Sequence, residues 1–198
     1  MAADEPIQAA ERPRVLFVCT GNICRSPYAE FTMRTALLTK GIAVDVDSAG
    51  TQARAGDPAA PRIVDALDAR GIDMTSFRSK PLDHDLIAAA DLILTAEVAH
   101  RATVVRLHPP ALSRVFTLRQ FARLVPEAVR AEPRFARAGI VELTAACART
   151  RGAGGITRAG SDDIEDPWSR SAFAYRRAMK AIDSALAEIV AALGRVTA

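Results

Sequence analysis

A chain of 198 residues with 49% hydrophobic and only 5% aromatic content suits one domain whose core is built from Ala, Val, Leu and Ile. Three cysteines, at 19, 24 and 147, are too few and too scattered for a disulfide framework, and no apolar run reaches the ~18 residues of a membrane helix. The net charge of +3 conceals a local bias, since residues 101–158 carry eleven arginines and three acidic residues; a basic face could attract phosphorylated partners, but no nucleic-acid motif accompanies it and solvated helix faces explain it as well.

Residues 1–13 are polar and acidic without an apolar centre, so they are expected to form a flexible arm rather than a secretory signal, and a cytoplasmic location is expected. Val15-Leu16-Phe17-Val18 predicts a buried strand at about 14–19. A loop, Cys19-Thr20-Gly21-Asn22-Ile23-Cys24-Arg25-Ser26, leads into a helix that runs to about 39 and ends at Gly41. Ala43–Ser48 alternates as a second strand. Pro58–Ala69 reads as a helix stopped near Gly71, and Asp83 caps a short helix, Asp83–Ala89. Asp91–Thr95 is a third, buried strand, followed by a helix over about 97–107, a break at Pro109-Pro110 and a fourth strand at Arg114–Thr117. Residues 126–160 hold a helical pattern at about 134–150 and then Gly152-Ala153-Gly154-Gly155, which reads as a mobile linker. From 171 the positions Phe173, Met179, Ile182, Leu186, Ile189 and Leu193 follow helical spacing, with Gly194 as a stop. Strands alternating with helices predict an α/β domain of three layers, with a four-stranded parallel sheet covered on both faces. The loop after the first strand lies at the carboxyl end of the sheet, where such folds bind ligands.

That loop carries the chemistry. Strand, tight loop and helix N-terminus aim backbone N–H groups and the positive end of a helix at one point, a setting for an anion or a thiolate. Arg25 adds a planar fork of donors suited to a phosphate. Cysteine attacks as its thiolate, which a helix N-terminus and a neighbouring arginine favour. Ser26 is placed to donate its hydroxyl to the sulfur. Gly21 is expected to supply positive φ for the turn, and Asn22 to visit the left-handed region or tie the loop to itself.

The string Val18–Pro27, with Ala29-Glu30 after it, resembles the signature loop of the low-molecular-weight protein tyrosine phosphatases. Asp47-Ser48-Ala49-Gly50-Thr51, Ala90-Asp91-Leu92-Ile93-Leu94 and Asp166-Pro167 are similar to further segments of that family. The resemblance covers about 14–125 and 162–193 and fails over 126–160, which reads as an insertion. It implies a flavodoxin-like fold of the low-molecular-weight phosphatase type and a two-step hydrolysis. Cys19 attacks phosphorus to form a phosphocysteine. The loop Thr20, Gly21, Asn22, Ile23, Cys24, Arg25 and Ser26 holds the phosphate, with Arg25 on its oxygens. Asp166 is general acid and then base. No cofactor and no metal are implied, and His84, His100 and His108 stand isolated without ligand spacing, as surface or structural residues. Partners would be phosphorylated proteins, phosphotyrosine foremost.

Read without the resemblance, an Asp-Pro before a helix is often only a turn, and Asp163 is the alternative acid. Trp168 stands where relatives carry a tyrosine or phenylalanine beside the substrate ring, and Arg54 lies where many have a second aromatic wall; both are candidate substrate walls. Ile23 accompanies tyrosine-type enzymes, whereas a threonine there accompanies a branch that acts on phosphoarginine; the short Gln52–Pro61 stretch and Val115–Leu118 look like that second branch. An arsenate reductase on this fold needs further cysteines after the second helix, and residues 71–100 have none. A catalytically silent phosphate binder would be free to lose Cys19. Cys24 either packs the loop or pairs reversibly with Cys19 on oxidation. Cys147 reads as structural, and the insertion as a flap influencing access to the site.

Overall fold

The computed structural model describes residues 12–132, 139–153 and 162–193. The elements follow in the order β1 (Arg14–Cys19), α1 (Arg25–Lys40), β2 (Asp45–Gly50), α2 (Pro61–Asp68), α3 (His84–Ala89), β3 (Leu92–Thr95), α4 (Val98–Leu107), β4 (Val115–Thr117), α5 (Leu118–Ala131), α6 (Ile140–Ala153) and α7 (Ala172–Ala192), with a 3-10 turn at Pro109–Ser113. The four strands form one parallel sheet in the order β2-β1-β3-β4. The expected arm at 1–13 falls largely outside the described residues, as do the linker from Gly154 onward and Gly194.

β1 is apolar throughout because it is central, paired on both sides and covered on both faces. One face of the sheet, with Phe17, Leu94 and Phe116, packs against α1, α5, α6 and α7. The other, with Leu16, Val18, Ile93 and Val115, packs against Ile87, Val104 and Ala111 from α3, α4 and the turn that follows. This is the expected three-layer arrangement. Register brings Cys19 opposite Gly50 and Val18 opposite Thr95, so three strand ends meet where α1 begins. α1 closes as expected at Gly41, whose φ of 66° lies in the left-handed region and whose N–H returns to the Leu38 carbonyl at 3.0 Å.

The stretch expected as an insertion opens inside a helix: α5 runs unbroken through Ala131 with Pro126 inside it, burying Leu118, Phe121, Leu124, Val125 and Ala128. Pro126 forfeits one backbone bond, but packing against α7 and α6 outweighs that local defect. Within the same stretch, α6 is packed. Ile140, Leu143, Ala146 and Cys147 are buried in the core, and Arg151 donates to the carbonyls of Val115 and Leu112, each at 2.7 Å, while its guanidinium lies 4.3 Å from the Phe116 ring centroid. Cys147 is structural, as expected, and burial raises its thiol pKa to about 12. On α7, Ile182, Leu186, Ile189 and Leu193 are buried as their spacing predicts, but Phe173 is exposed and Tyr175 and Ala178 take the inward positions.

Since α6 is core, Leu143→Ala is expected to cost about 2–5 kcal/mol of folding stability in urea unfolding, whereas Val141→Ala on the outer face of the same helix costs under about 0.5 kcal/mol.

Candidate active site

The loop between β1 and α1 is held by its own side chains. Asn22 is fully buried and takes φ 51°, the left-handed conformation expected of it, whereas the positive φ expected of Gly21 is not found. An asparagine tolerates that conformation because its amide can bond locally. Its Nδ2 donates to Ser26 Oγ at 2.9 Å and to Ser48 Oγ at 2.8 Å, while its Oδ1 accepts from the Lys80 backbone N–H at 2.9 Å. Every polar group of the amide is used. Ser48 in turn donates to Glu30 Oε2 at 2.6 Å, and burial pushes the Glu30 carboxyl above its usual pKa.

Ser26 Oγ, which accepts from Asn22, lies 3.0 Å from Cys19 Sγ and 3.4 Å from the Ala49 carbonyl, so its hydroxyl bridges the nucleophile and the end of β2. The Asn22 N–H donates to the same sulfur at 3.3 Å. Cys19, the last residue of β1, thus has the Asn22 N–H and the Ser26 hydroxyl at its sulfur. Gly50 is where a side chain cannot fit: a Cβ there would lie 2.6 Å from the Thr20 carbonyl oxygen and 2.8 Å from Asn22 N. Cys24 contributes its backbone only. Its Sγ lies 3.7 Å from Tyr175 Oη, and burial raises its pKa to about 12, so it stays a thiol.

Arg25 is 2% exposed, and four acceptors converge on its guanidinium. Nη1 bonds Glu97 and the Ile164 carbonyl, the latter at 2.8 Å; Nη2 reaches Thr20 Oγ1 at 3.2 Å and pairs with Asp166 Oδ2 at 2.9 Å. Its Nε is buried and has no partner among the described residues. Asp166 is therefore brought to the loop, 141 positions after Arg25, by the segment that precedes it. Ile164 is buried and its N–H bonds the Ala96 carbonyl at 2.8 Å, at the end of β3. Asp163 accepts the Val98 N–H at 2.8 Å and so caps α4. Asp166 Oδ1 also accepts the Trp168 N–H at 3.2 Å, so the same carboxylate makes the turn and the contact with Arg25.

Trp168 is 52% exposed beside Asp166 and free to meet a ligand. Arg54 is exposed on the turn after β2, which bonds to the loop through Gln52 N–H and the Thr20 carbonyl at 2.8 Å. Ile23 is partly buried at the loop's crest. Two neighbours escaped sequence reasoning. Glu97 is paired with Arg25, and His100 is not isolated: it is 5% exposed and its Nε2 lies 2.9 Å from Thr20 Oγ1. Both are on the turn and helix after β3, and the only hint was their place at a strand's carboxyl end. His84, which is exposed, and His108, which is half-buried, face each other at 3.0 Å. Among the described residues no group of three potential ligands could hold a metal ion. A groove of about 940 Å³ between α5 and α7 is also lined by Asp163, Ile164, Glu165 and Asp166.

A cysteine on a strand–loop–helix cradle, a buried arginine and a carboxylate at the same strand ends define the class of cysteine-dependent phosphatases. The model of the family described as low molecular weight phosphotyrosine protein phosphatase matches residues 14–132, and the chain belongs to that family. It is 39% identical over 104 residues to the probable low molecular weight protein-tyrosine-phosphatase EpsP of Ralstonia nicotianae, covering 52% of this chain and 69% of that protein. It is 36% identical over 107 residues to the protein-arginine-phosphatase of Bacillus subtilis, covering 54% and 71%. Among solved structures it resembles the low molecular weight protein tyrosine phosphatase from T. tengcongensis (TM-score 0.68, 26% identity, 90% of this chain and 97% of that one). It also resembles the YwlE arginine phosphatase from Geobacillus stearothermophilus (TM-score 0.65, 28% identity, 90% of each chain).

Two outcomes follow from the geometry. Gly50→Ala drives a methyl group into backbone on both sides, so oxyanion binding measured by calorimetry is expected to be lost together with roughly 2–4 kcal/mol of stability. Burial, more than the nearby Arg25, lowers the His100 pKa below its ordinary 6.5, against the pull of Glu97, Asp166 and Asp163. The folded protein therefore binds fewer protons than the unfolded chain once pH drops below 6.5, and stability falls from there toward the lower folded value. His100→Gln, which does not titrate, is expected to flatten that acid limb in melting temperatures recorded from about pH 7 to 5.

Proposed function

We propose that this protein hydrolyses phosphotyrosine in phosphorylated proteins. The observation that carries the reading is the meeting of Cys19, Arg25 and Asp166, with Arg25 Nη2 2.9 Å from Asp166. Cys19 Sγ attacks phosphorus and forms the S–P bond as the P–O bond to the phenol breaks. Arg25 turns its Nη2 and unpartnered Nε to the equatorial oxygens, and the N–H groups at the start of α1 share the charge. The incoming phosphoryl group replaces Asp166 on Nη2, and Asp166 delivers its proton to the leaving oxygen. Water then attacks the phosphocysteine, gives its proton to Asp166, and releases phosphate and the Cys19 thiolate. The groove between α5 and α7 gives a protein substrate a surface to lie on beside Asp166. A reducing cytoplasm keeps the Cys19 thiol available; no described helix is long and apolar enough to cross a membrane.

Phosphoarginine is the second reading, supported by the relatives named for that activity. Ile23 and the exposed Trp168 favour phosphotyrosine, since an aliphatic and an indole surface suit an aromatic ring. Initial rates on phosphotyrosine, phosphoarginine and phosphoserine peptides test the choice. Phosphotyrosine is expected to be preferred, Cys19→Ser to abolish turnover, and Asp166→Ala to slow kcat about 10²–10⁴-fold. Preference for phosphoarginine would reverse the assignment, and phosphate binding without any turnover would make the protein a binding module.

A further inference from the structure

Thr20, the residue after the nucleophile, has a hydroxyl set between two nitrogens. Arg25 Nη2 lies 3.2 Å from its Oγ1 and His100 Nε2 lies 2.9 Å from it. Arginine can only donate, so one Oγ1 lone pair is taken. The His100 contact is open to either tautomer, and the other ring nitrogen decides between them. His100 Nδ1 is buried without a partner among the described residues. A proton on Nδ1 would be an orphaned buried donor, rarer and costlier than an unused lone pair. A doubly protonated ring would carry that same orphan donor and set a positive charge against Arg25. The ring is therefore neutral with its proton on Nε2, and it donates to Thr20. Both lone pairs of Oγ1 are then filled, and the Thr20 proton has only the third direction left, away from Arg25 and His100. The charged groups around the ring agree with neutrality: Glu97, Asp163 and Asp166 are opposed by Arg25 and by burial.

We infer that His100 is a positioning residue: by donating from Nε2 to Thr20 it frees the Thr20 hydroxyl proton to bind an oxygen of the anion held in the loop. Thr20 is thus a side-chain donor to that anion as well as part of the backbone cradle, and His100 acts only through it. The identity of the anion as a substrate phosphoryl group rests on the proposed phosphatase activity; the hydrogen-bond logic does not.

The test is tungstate binding by calorimetry to the full-length protein and to His100→Leu, His100→Gln, Thr20→Val and the double variant His100→Leu/Thr20→Val. Gln Nε2 can occupy the place of the histidine Nε2, and Leu cannot donate. Loss of one hydrogen bond to an anion predicts about a tenfold weaker Kd for His100→Leu and for Thr20→Val. The double variant is expected to be about tenfold weaker rather than a hundredfold, because both changes remove the same donor. His100→Gln is expected to stay within about threefold of the parent. A merely packed histidine would not show coupling with Thr20 or rescue by glutamine. Independent, multiplying losses, an unrescued Gln variant, or unchanged tungstate affinity in His100→Leu would each overturn the assignment. If His100→Leu does not fold, His100→Asn, too short to reach Thr20, takes its place. An unmodified protein that binds tungstate but turns over no phosphopeptide would overturn the phosphatase reading alone, and the tungstate comparison would still decide the role of His100.

Discussion

The site depends on one buried amide. Asn22 holds φ 51° with no exposure to solvent, a conformation that is unfavourable for a residue with a side chain unless its surroundings over-determine it. The surroundings do so from three directions: Ser26 on α1, Ser48 on β2 and the Lys80 backbone before α3. The loop is thereby pinned to two other elements and keeps its shape without a ligand. Shape kept in advance is what lets donors stabilise a charge that develops only in the transition state. The same amide also holds Ser26 Oγ beside Cys19 Sγ, so the order of the loop and the surroundings of the sulfur have one cause.

Parallel topology then decides what can reach that loop. With β1 between β2 and β3, the residues beyond the ends of its neighbours are the residues that meet Cys19. From β2 come Gly50, which leaves room for the loop backbone, and the turn bearing Arg54. From β3 come Ala96, Glu97 and His100. Ala96 anchors Ile164, and Ile164 places both its own carbonyl on Arg25 and Asp166 two residues on. The acid is thus delivered by ordinary backbone bonding to a strand end, independently of any contact between Asp166 and Cys19.

The burial of Arg25 between Glu97 and Asp166 has an energetic consequence. A guanidinium taken out of water needs compensating charge, and removing one partner of such a pair typically costs about 3–5 kcal/mol. Two carboxylates supply the compensation. Glu97 remains when a phosphoryl group displaces Asp166 in the proposed reaction, so the arginine stays paired through the change. In that proposed reaction Glu97 holds the arginine while Asp166 is released.

Much of this was legible in the chain. The Cys19–Ser26 string, the apolar runs and the strand–helix alternation determined the fold class, the loop and the pairing of Cys19 with Arg25, because they are local consequences of periodicity and of residues adjacent in sequence. Asp166 was legible only through the family resemblance, since nothing local distinguishes an acid at a turn from an acid at a site. The helix α5 was hidden by Pro126, whose local penalty is overridden by burial of Phe121, Leu124 and Val125. Only the tertiary structure decided that Gly21 does not share the positive φ of Asn22, that Asp163 caps α4, that α6 belongs to the core, and that His100 and Glu97 close around Thr20 and Arg25. Each is a contact between residues far apart in the chain, fixed by strand order and register, and no local pattern records it.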